Sequence, residues 1–113
     1  MRTIIAGGRD FVSYDILKKA IQQCGWMPTV VISGVARGVD SLGEYWAQEN
    51  SIPCEKFPAD WETYGKRAGY LRNTQMAENA EALIALWNGE SRGTKHMIDI
   101  ATSRGLKIYI QYY

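Results

Sequence analysis

The sequence predicts a three-layer α/β fold, a mostly parallel five-stranded sheet with helices on both faces. Two observations carry that expectation. Five short runs rich in β-branched and apolar residues recur along the 113-residue chain, and the stretches between them repeat their apolar residues at helical spacing. Strands that alternate with helices need crossover connections, which are right-handed and cover the faces of a parallel sheet.

The elements follow in order. "TIIA" at 3–6 is the first strand. Tyr14, Leu17, Ala20, Ile21 and Cys24 then share one helical face, and Gly25 stands where a helix C-terminus favours a left-handed residue. "TVVIS" at 29–33 is the second strand. The second helix is expected to begin after Asp40 and Ser41, with Ser41 and Glu44 as a capping box and Leu42, Tyr45 and Trp46 turned inward. "PCEKF" at 53–57 is the third strand, and residues 58–68 form an irregular segment long enough to suggest a function. A helix over 69–79, the strand "ALIAL" at 82–86, a helix from Thr94 to Arg104 and the strand "KIYIQ" at 107–111 complete the series. In the last helix Met97, Ile98 and Ala101 face inward and Gly105 ends it. The order is Rossmann-like. No repeat, low-complexity stretch or linker interrupts it, so residues 1–113 read as one domain.

Composition narrows the function classes. Hydrophobic residues make up 46% and charged residues 22%, which is ordinary for a globular protein. The opening "RTIIA" lacks the apolar region of a secretory signal, and no apolar run reaches membrane-spanning length, so a cytoplasmic location and no membrane partner are expected. The net charge of +1 argues against nucleic acid as the main partner. Cys24 and Cys54 lack the CxxC spacing of a zinc or redox site and are expected to be reduced and buried. No metal or cofactor is expected, and His96 receives no catalytic role.

In a doubly wound sheet, ligands bind outside the carboxyl ends of the strands. Here the first of those loops carries Gly7, Gly8, Arg9, Asp10 and Phe11, and the second Ser33, Gly34, Arg37, Gly38 and Asp40. The third leads into Arg67, Arg72 and Asn73, and the fourth into Arg92, Gly93 and Thr94. Five of the seven arginines (Arg9, Arg37, Arg67, Arg72 and Arg92) thus fall in these loops or at the helix starts that follow. Such a rim suits a phosphate. Glycines let backbone N–H groups approach an anion, helix N-termini offer unpaired donors, and arginine adds charge-assisted hydrogen bonds.

Each residue type also has a plainer reading. Arg37 pairs with either a phosphate or a surface carboxylate, Asp40 or Glu44. Asp40 is a ligand contact or a helix N-cap, and Asp10 accepts from a ribose or shapes its loop through a salt bridge. Trp61, Tyr64 and Tyr70 offer a stacking face for a base or a hydrophobic plug, whereas Trp26, Trp46 and Trp87 suit the core or a dimer surface.

The series "GGRDF", "SGVARGVD", "PADWETYGKRAGYLRN" and "GESRGTKHM" resembles the SLOG superfamily, named after the SMF/DprA and LOG proteins, and within it the small YspA-like, cpYpsA-related group. The resemblance implies a Rossmann-like fold that binds nucleotides or nucleotide-derived ligands and associates as homodimers or higher homo-oligomers. It places Gly7, Gly8 and Arg9 in the first binding loop and Ser33, Gly34, Arg37, Gly38 and Asp40 in the second. Arg72 and Asn73 fall in the third, and Arg92, Gly93 and Thr94 in the fourth. The LOG phosphoribohydrolases carry a PGGxGTxxE loop whose glutamate joins an arginine in catalysis. Arg72 resembles that arginine, but Met97 stands in the glutamate's place, and a thioether is neither acid nor base. Glu90 or Asp99 would have to substitute.

Three functions therefore compete. The first is a sensor, carrier or sequestering protein for a phosphate-bearing, ADP-ribose-like ligand, with no assigned catalytic residue. The second is a LOG-like hydrolase of a nucleotide N-glycosidic bond, with Asp10, Asp40, Glu62 or Glu90 as its carboxylate. The third is a DprA-like accessory in DNA processing.

Overall fold

The computed structural model describes residues 1–10 and 12–113, so Phe11 of the first loop lies outside the described residues. Strands β1 (Arg2–Gly7), β2 (Val30–Ser33), β3 (Cys54–Lys56), β4 (Ala82–Trp87) and β5 (Lys107–Tyr112) form one sheet in the order β3-β2-β1-β4-β5. Every neighbouring pair is parallel, so the expected "mostly parallel" sheet is wholly parallel. Helices α1 (Tyr14–Gln23), α2 (Val39–Glu49), α3 (Trp61–Tyr64), α4 (Ala68–Glu78) and α5 (Arg92–Ser103) occupy the connections.

Strand alternation divides the apolar residues between two cores. Ile5, Val31, Ile84 and Leu86 face α1 and α2, packing against Leu17, Ala20, Ile21, Val39, Trp46 and Ala47. Ile4, Ala6, Ile32, Leu83 and Ala85 face α4 and α5, against Met76, Ala77, Met97 and Ala101. Both faces of β1 and β4 are covered, which is why these strands read as unbroken apolar runs rather than alternating ones.

Most element ends follow local chemistry. Ser13 caps α1 by accepting the Asp15 N–H at 3.2 Å, and Gly25 follows that helix at φ +96°. Gly105, at φ +73°, follows α5 as its position predicts. That helix starts at Arg92, two residues before the expected Thr94, because Ser91 caps it. The irregular segment contains α3, capped by Asp60, and a single 3-10 turn, Gly65–Arg67.

The start of α2 departs from expectation. Gly38 is the N-cap, with φ +78°, and Asp40 and Ser41 lie inside the helix. The Val39 N–H donates to the Gly8 carbonyl at 3.1 Å, and a Cβ on Gly38 would stand 2.8 Å from the Arg9 backbone. The loop after β1 thus occupies the space a capping side chain would need. Ser41 Oγ instead donates to the Ala36 carbonyl, and Glu44 accepts from Ser33 Oγ at 2.6 Å, so these two residues form no capping box.

Two further expectations are corrected. Tyr45 is exposed, resting edge-on against Tyr14 with ring centroids 5.2 Å apart, because the inward face of α2 is already filled by Val39, Trp46 and Ala47. Both cysteines are free but only half-buried, since each lies where its element reaches the edge of the core.

The crossing of β1, β4 and α2 leaves no room at Gly7, where a Cβ would stand 2.6 Å from both the Leu86 carbonyl oxygen and Val39 Cγ2. Gly7→Ala is expected to lose about 2–3 kcal/mol in urea unfolding. Gly93→Ala, whose Cβ would meet none of the described residues within 4 Å, should stay within about 1 kcal/mol of the parent. Equal losses at both positions would contradict this packing.

Candidate functional site

Chain connections run from β1 to β2 on one side of the sheet and from β3 across to β4 on the other. The loops leaving β1 and β4 therefore diverge onto opposite faces, and a crevice opens between their carboxyl ends. A cleft of about 390 Å³ lies there, within the size range of small-ligand sites. The end of β1 contributes Gly7, Gly8, Arg9 and Asp10, and the β2–α2 connection contributes Ala36 and Asp40. Trp61, Lys66, Tyr70, Arg72 and Asn73 come from the α3–α4 side, and Ser91, Gly93, Thr94 and Met97 from the start of α5. A smaller recess of about 270 Å³ adjoins it, holding Gly34, Val35, Ala36 and Arg37 and sharing Arg9, Ala36, Trp61 and Arg72 with the cleft.

Most of the expected residues do meet. Gly7, Gly8, Arg9, Asp10, Asp40, Arg72, Asn73, Gly93 and Thr94 line the cleft, while Gly34 and Arg37 line the recess. Ser33, Gly38, Arg67 and Arg92 border neither space. Arg67 lies on the 3-10 turn, where its neighbour Lys66 is the cation that reaches the cleft.

Arg72 is the most constrained of these cations. It projects from α4 across to the β2–α2 loop, where Nη1 donates to the Gly34 carbonyl and Nε donates to Asn73 Oδ1 at 3.1 Å. A Cβ on Gly34 would stand 2.6 Å from Arg72 Nη1 and 2.9 Å from Asp40 Oδ2, so a side chain there would push the guanidinium from its place. Burial lowers the guanidinium's pKa; the Asp40 charge opposes that shift and Arg9 adds to it.

Asn73 is buried, and its amide is fully used. Its Nδ2 donates to the Gly93 carbonyl at 3.3 Å and to His96 Nδ1 at 3.2 Å. An amide N–H can only donate, so His96 accepts as the neutral imidazole, in keeping with a pKa that burial lowers. The His96 ring then packs edge-on against Tyr70, with centroids 4.5 Å apart. Asn73 and His96 thus set the positions of Arg72, Gly93 and Tyr70 rather than opening polar atoms toward the cleft.

The β2–α2 loop uses its own amides. Val35 N–H donates to Ser33 Oγ at 3.1 Å, Ala36 N–H to Asp40 Oδ2 at 3.2 Å, and Val39 N–H to the Gly8 carbonyl. These three donors are thus satisfied internally. Val35 holds φ +62°, a conformation unfavourable for a β-branched residue. The same loop brings the Arg37 side chain to the recess.

The remaining groups define the cleft's chemistry. Arg9 lies over the Trp61 ring, 5.8 Å from its centroid. Asp10 is held by Tyr113, whose hydroxyl donates to Oδ1 at 3.0 Å, and not by a salt bridge. Met97 forms part of the buried floor. Glu62, Glu90 and Asp99 stand outside the cleft, and Asp99 pairs with Lys95 at 2.8 Å. Lys66 and Tyr113 escaped the sequence reading. Lys66 was hidden beside an equally plausible Arg67, and Tyr113 lies 103 positions from its partner.

Burial raises the Asp40 carboxyl to about 6, against the opposing effects of the Ala36 N–H and of the Arg72 and Arg9 charges. The folded protein therefore holds this proton to a higher pH than the unfolded chain, whose ordinary value is 3.8. Stability from this group falls as pH rises from about 4 to 6. Asp40→Asn escapes that loss. Its stability relative to the parent should rise by about 2–3 kcal/mol between pH 4 and pH 7 in paired urea titrations, whereas an unchanged difference would contradict a buried Asp40 with a raised pKa.

Comparison with known proteins adds three likenesses. The profile of the YspA, cpYpsA-related SLOG family matches residues 1–64, which take in the loops after β1 and β2. Over 85 residues the chain is 39% identical to the Gene 61 protein of Mycobacterium phage D29, a match spanning 70% of this chain and 68% of that protein. DNA processing protein A (DprA) of Streptococcus pneumoniae superposes over 96% of this chain with a TM-score of 0.78 at 16% identity. The chain spans 49% of that DprA chain, and the likeness is one of fold.

Proposed function

This chain belongs to the YspA, cpYpsA-related SLOG family, and on that premise we propose that it binds a nucleotide-derived, phosphate-bearing small molecule in the cleft between β1 and β4. One observation carries the reading: Arg9, Lys66 and Arg72 stand beside the aromatic faces of Trp61 and Tyr70 at the point where the sheet order reverses. The cations suit phosphate, and the exposed rings suit a base. Asp10 is suited to accept from ribose hydroxyls. Gly7, Gly8, Gly93 and Thr94 bring backbone to the ligand, while Ser33, Gly34, Gly38, Asp40 and Asn73 hold the loops and Arg72 in place. Arg92, at the start of α5, adds to the positive field. Such a protein would act as a cytoplasmic sensor, carrier or sequestering protein, working as a homo-oligomer.

A second reading draws on Asp40. A carboxyl whose pKa burial raises to about 6, beside a guanidinium, could hold a proton in mildly acidic solution and give it to a leaving base, as hydrolysis of a nucleotide N-glycosidic bond requires. Against it, Asp40 Oδ2 is engaged by the Ala36 N–H, and Met97 offers no second acid–base group. Base release from nucleoside monophosphates, abolished in Asp40→Asn, would establish the hydrolase. A DNA-processing role draws on the fold of DprA alone, and the net charge of +1 supplies little of the phosphate neutralisation that DNA binding uses.

The binding reading predicts that members of a panel of nucleotides and ADP-ribose-type compounds raise the melting temperature by mass action. Arg9 is exposed, so Arg9→Ala should fold normally yet bind the same ligand about tenfold or more weakly by calorimetry, as the loss of a charge-assisted contact dictates. A parent that responds to no member of the panel would overturn the proposal.

A further inference from the structure

We propose that the recess beside the cleft is a second anion subsite, lined by Arg9, Arg37 and Arg72, so that the ligand carries a diphosphate with its outer phosphate facing Arg37. The inference rests on reading the cleft as a nucleotide site and specifies which nucleotides it takes.

The two spaces differ in charge. The cleft includes the carboxyl groups of Asp10 and Asp40 along with its cations, whereas three guanidinium groups and no carboxylate line the recess. The ion pairs among the described residues involve Arg2, Lys18, Lys56 and Lys95, and none of these three arginines. Three like charges around one recess repel one another until an anion enters. Two nearby backbone amides, those of Val35 and Ala36, are already engaged by Ser33 and Asp40, which leaves the guanidinium groups as the principal partners.

The two spaces are also continuous. Arg9, Ala36, Trp61 and Arg72 belong to both linings, which places two guanidinium groups on the boundary. Among the described contacts Arg72 commits two of its five N–H donors, to Gly34 and Asn73, and the others remain for a ligand. A single phosphate held by Arg9 and Arg72 would leave Arg37 unused. A diphosphate can bridge the boundary, its inner phosphate between Arg9 and Arg72 and its outer one in the recess. The nucleoside then occupies the larger space beside Trp61 and Tyr70, where Asp10 is available to its ribose.

Calorimetry on the full chain with paired mono- and diphosphates (AMP and ADP, GMP and GDP, UMP and UDP) tests this. The diphosphate of the preferred base should bind the parent at least tenfold more tightly than its monophosphate. In Arg37→Ala that ratio should fall to about one. Equal affinities in the parent, or a ratio that survives in Arg37→Ala, would overturn the second subsite and leave the nucleotide site standing. If neither member of any pair bound, the nucleotide reading would fall and this inference with it.

Discussion

Reach of the Arg72 guanidinium from α4 to the Gly34 carbonyl is the constraint on which the site depends. A cation drawn partly out of water needs compensation, and the structure provides it through Gly34, Asn73 and the nearby Asp40 carboxyl. Each partner then fixes something else. Gly34 leaves the space the guanidinium fills, Asp40 sits buried in the first turn of α2, and Asn73 presents its oxygen to Arg72 and its nitrogen to α5. A helix from one face of the sheet is in this way joined to a loop that leads to the opposite face, and the space between them becomes the cleft.

The same arrangement explains why the β2–α2 loop departs from the usual phosphate-binding turn. The N–H groups of Val35, Ala36 and Val39 hold the loop in shape through Ser33, Asp40 and Gly8, so these three are not available to a ligand. On the binding reading proposed above, the arginines carry a large share of anion recognition. Backbone amides grip a phosphate closely at one point, whereas long guanidinium side chains distribute charge over two adjoining spaces. Met97 in the floor suits such a binding site: it gives an apolar surface where an acid–base residue would otherwise act.

Sequence patterns made the layers legible because local rules control them. Gly25 and Gly105 end their helices as expected, and the buried faces of α1 and α5 follow their spacing. Long-range contacts governed the misreadings. Ser41 and Glu44 have the right spacing for a capping box, yet the Gly8 carbonyl and the Ser33 hydroxyl, distant in sequence, determine where α2 begins and what Glu44 does. In the site, the residue types at the strand ends were readable, but their directions were not. Arg37 points into the recess from a loop that contains the left-handed Val35, and no periodicity encodes that turn. Nor could the contact between Asp10 and Tyr113, at opposite ends of the chain, be read without the sheet order that leaves only β4 between β1 and β5.

The central claim is that ligand binds between the ends of β1 and β4, and at 12.8 kDa the chain is small enough for residue-by-residue NMR. Amide chemical shifts recorded while a nucleotide diphosphate is titrated would test it most directly. The account predicts saturable changes concentrated at residues 7–10, 34–37, 61–73 and 91–97. Changes centred instead on the groove between α1 and α2, around Lys18, Trp26 and Trp46, or a spectrum that does not respond, would contradict it.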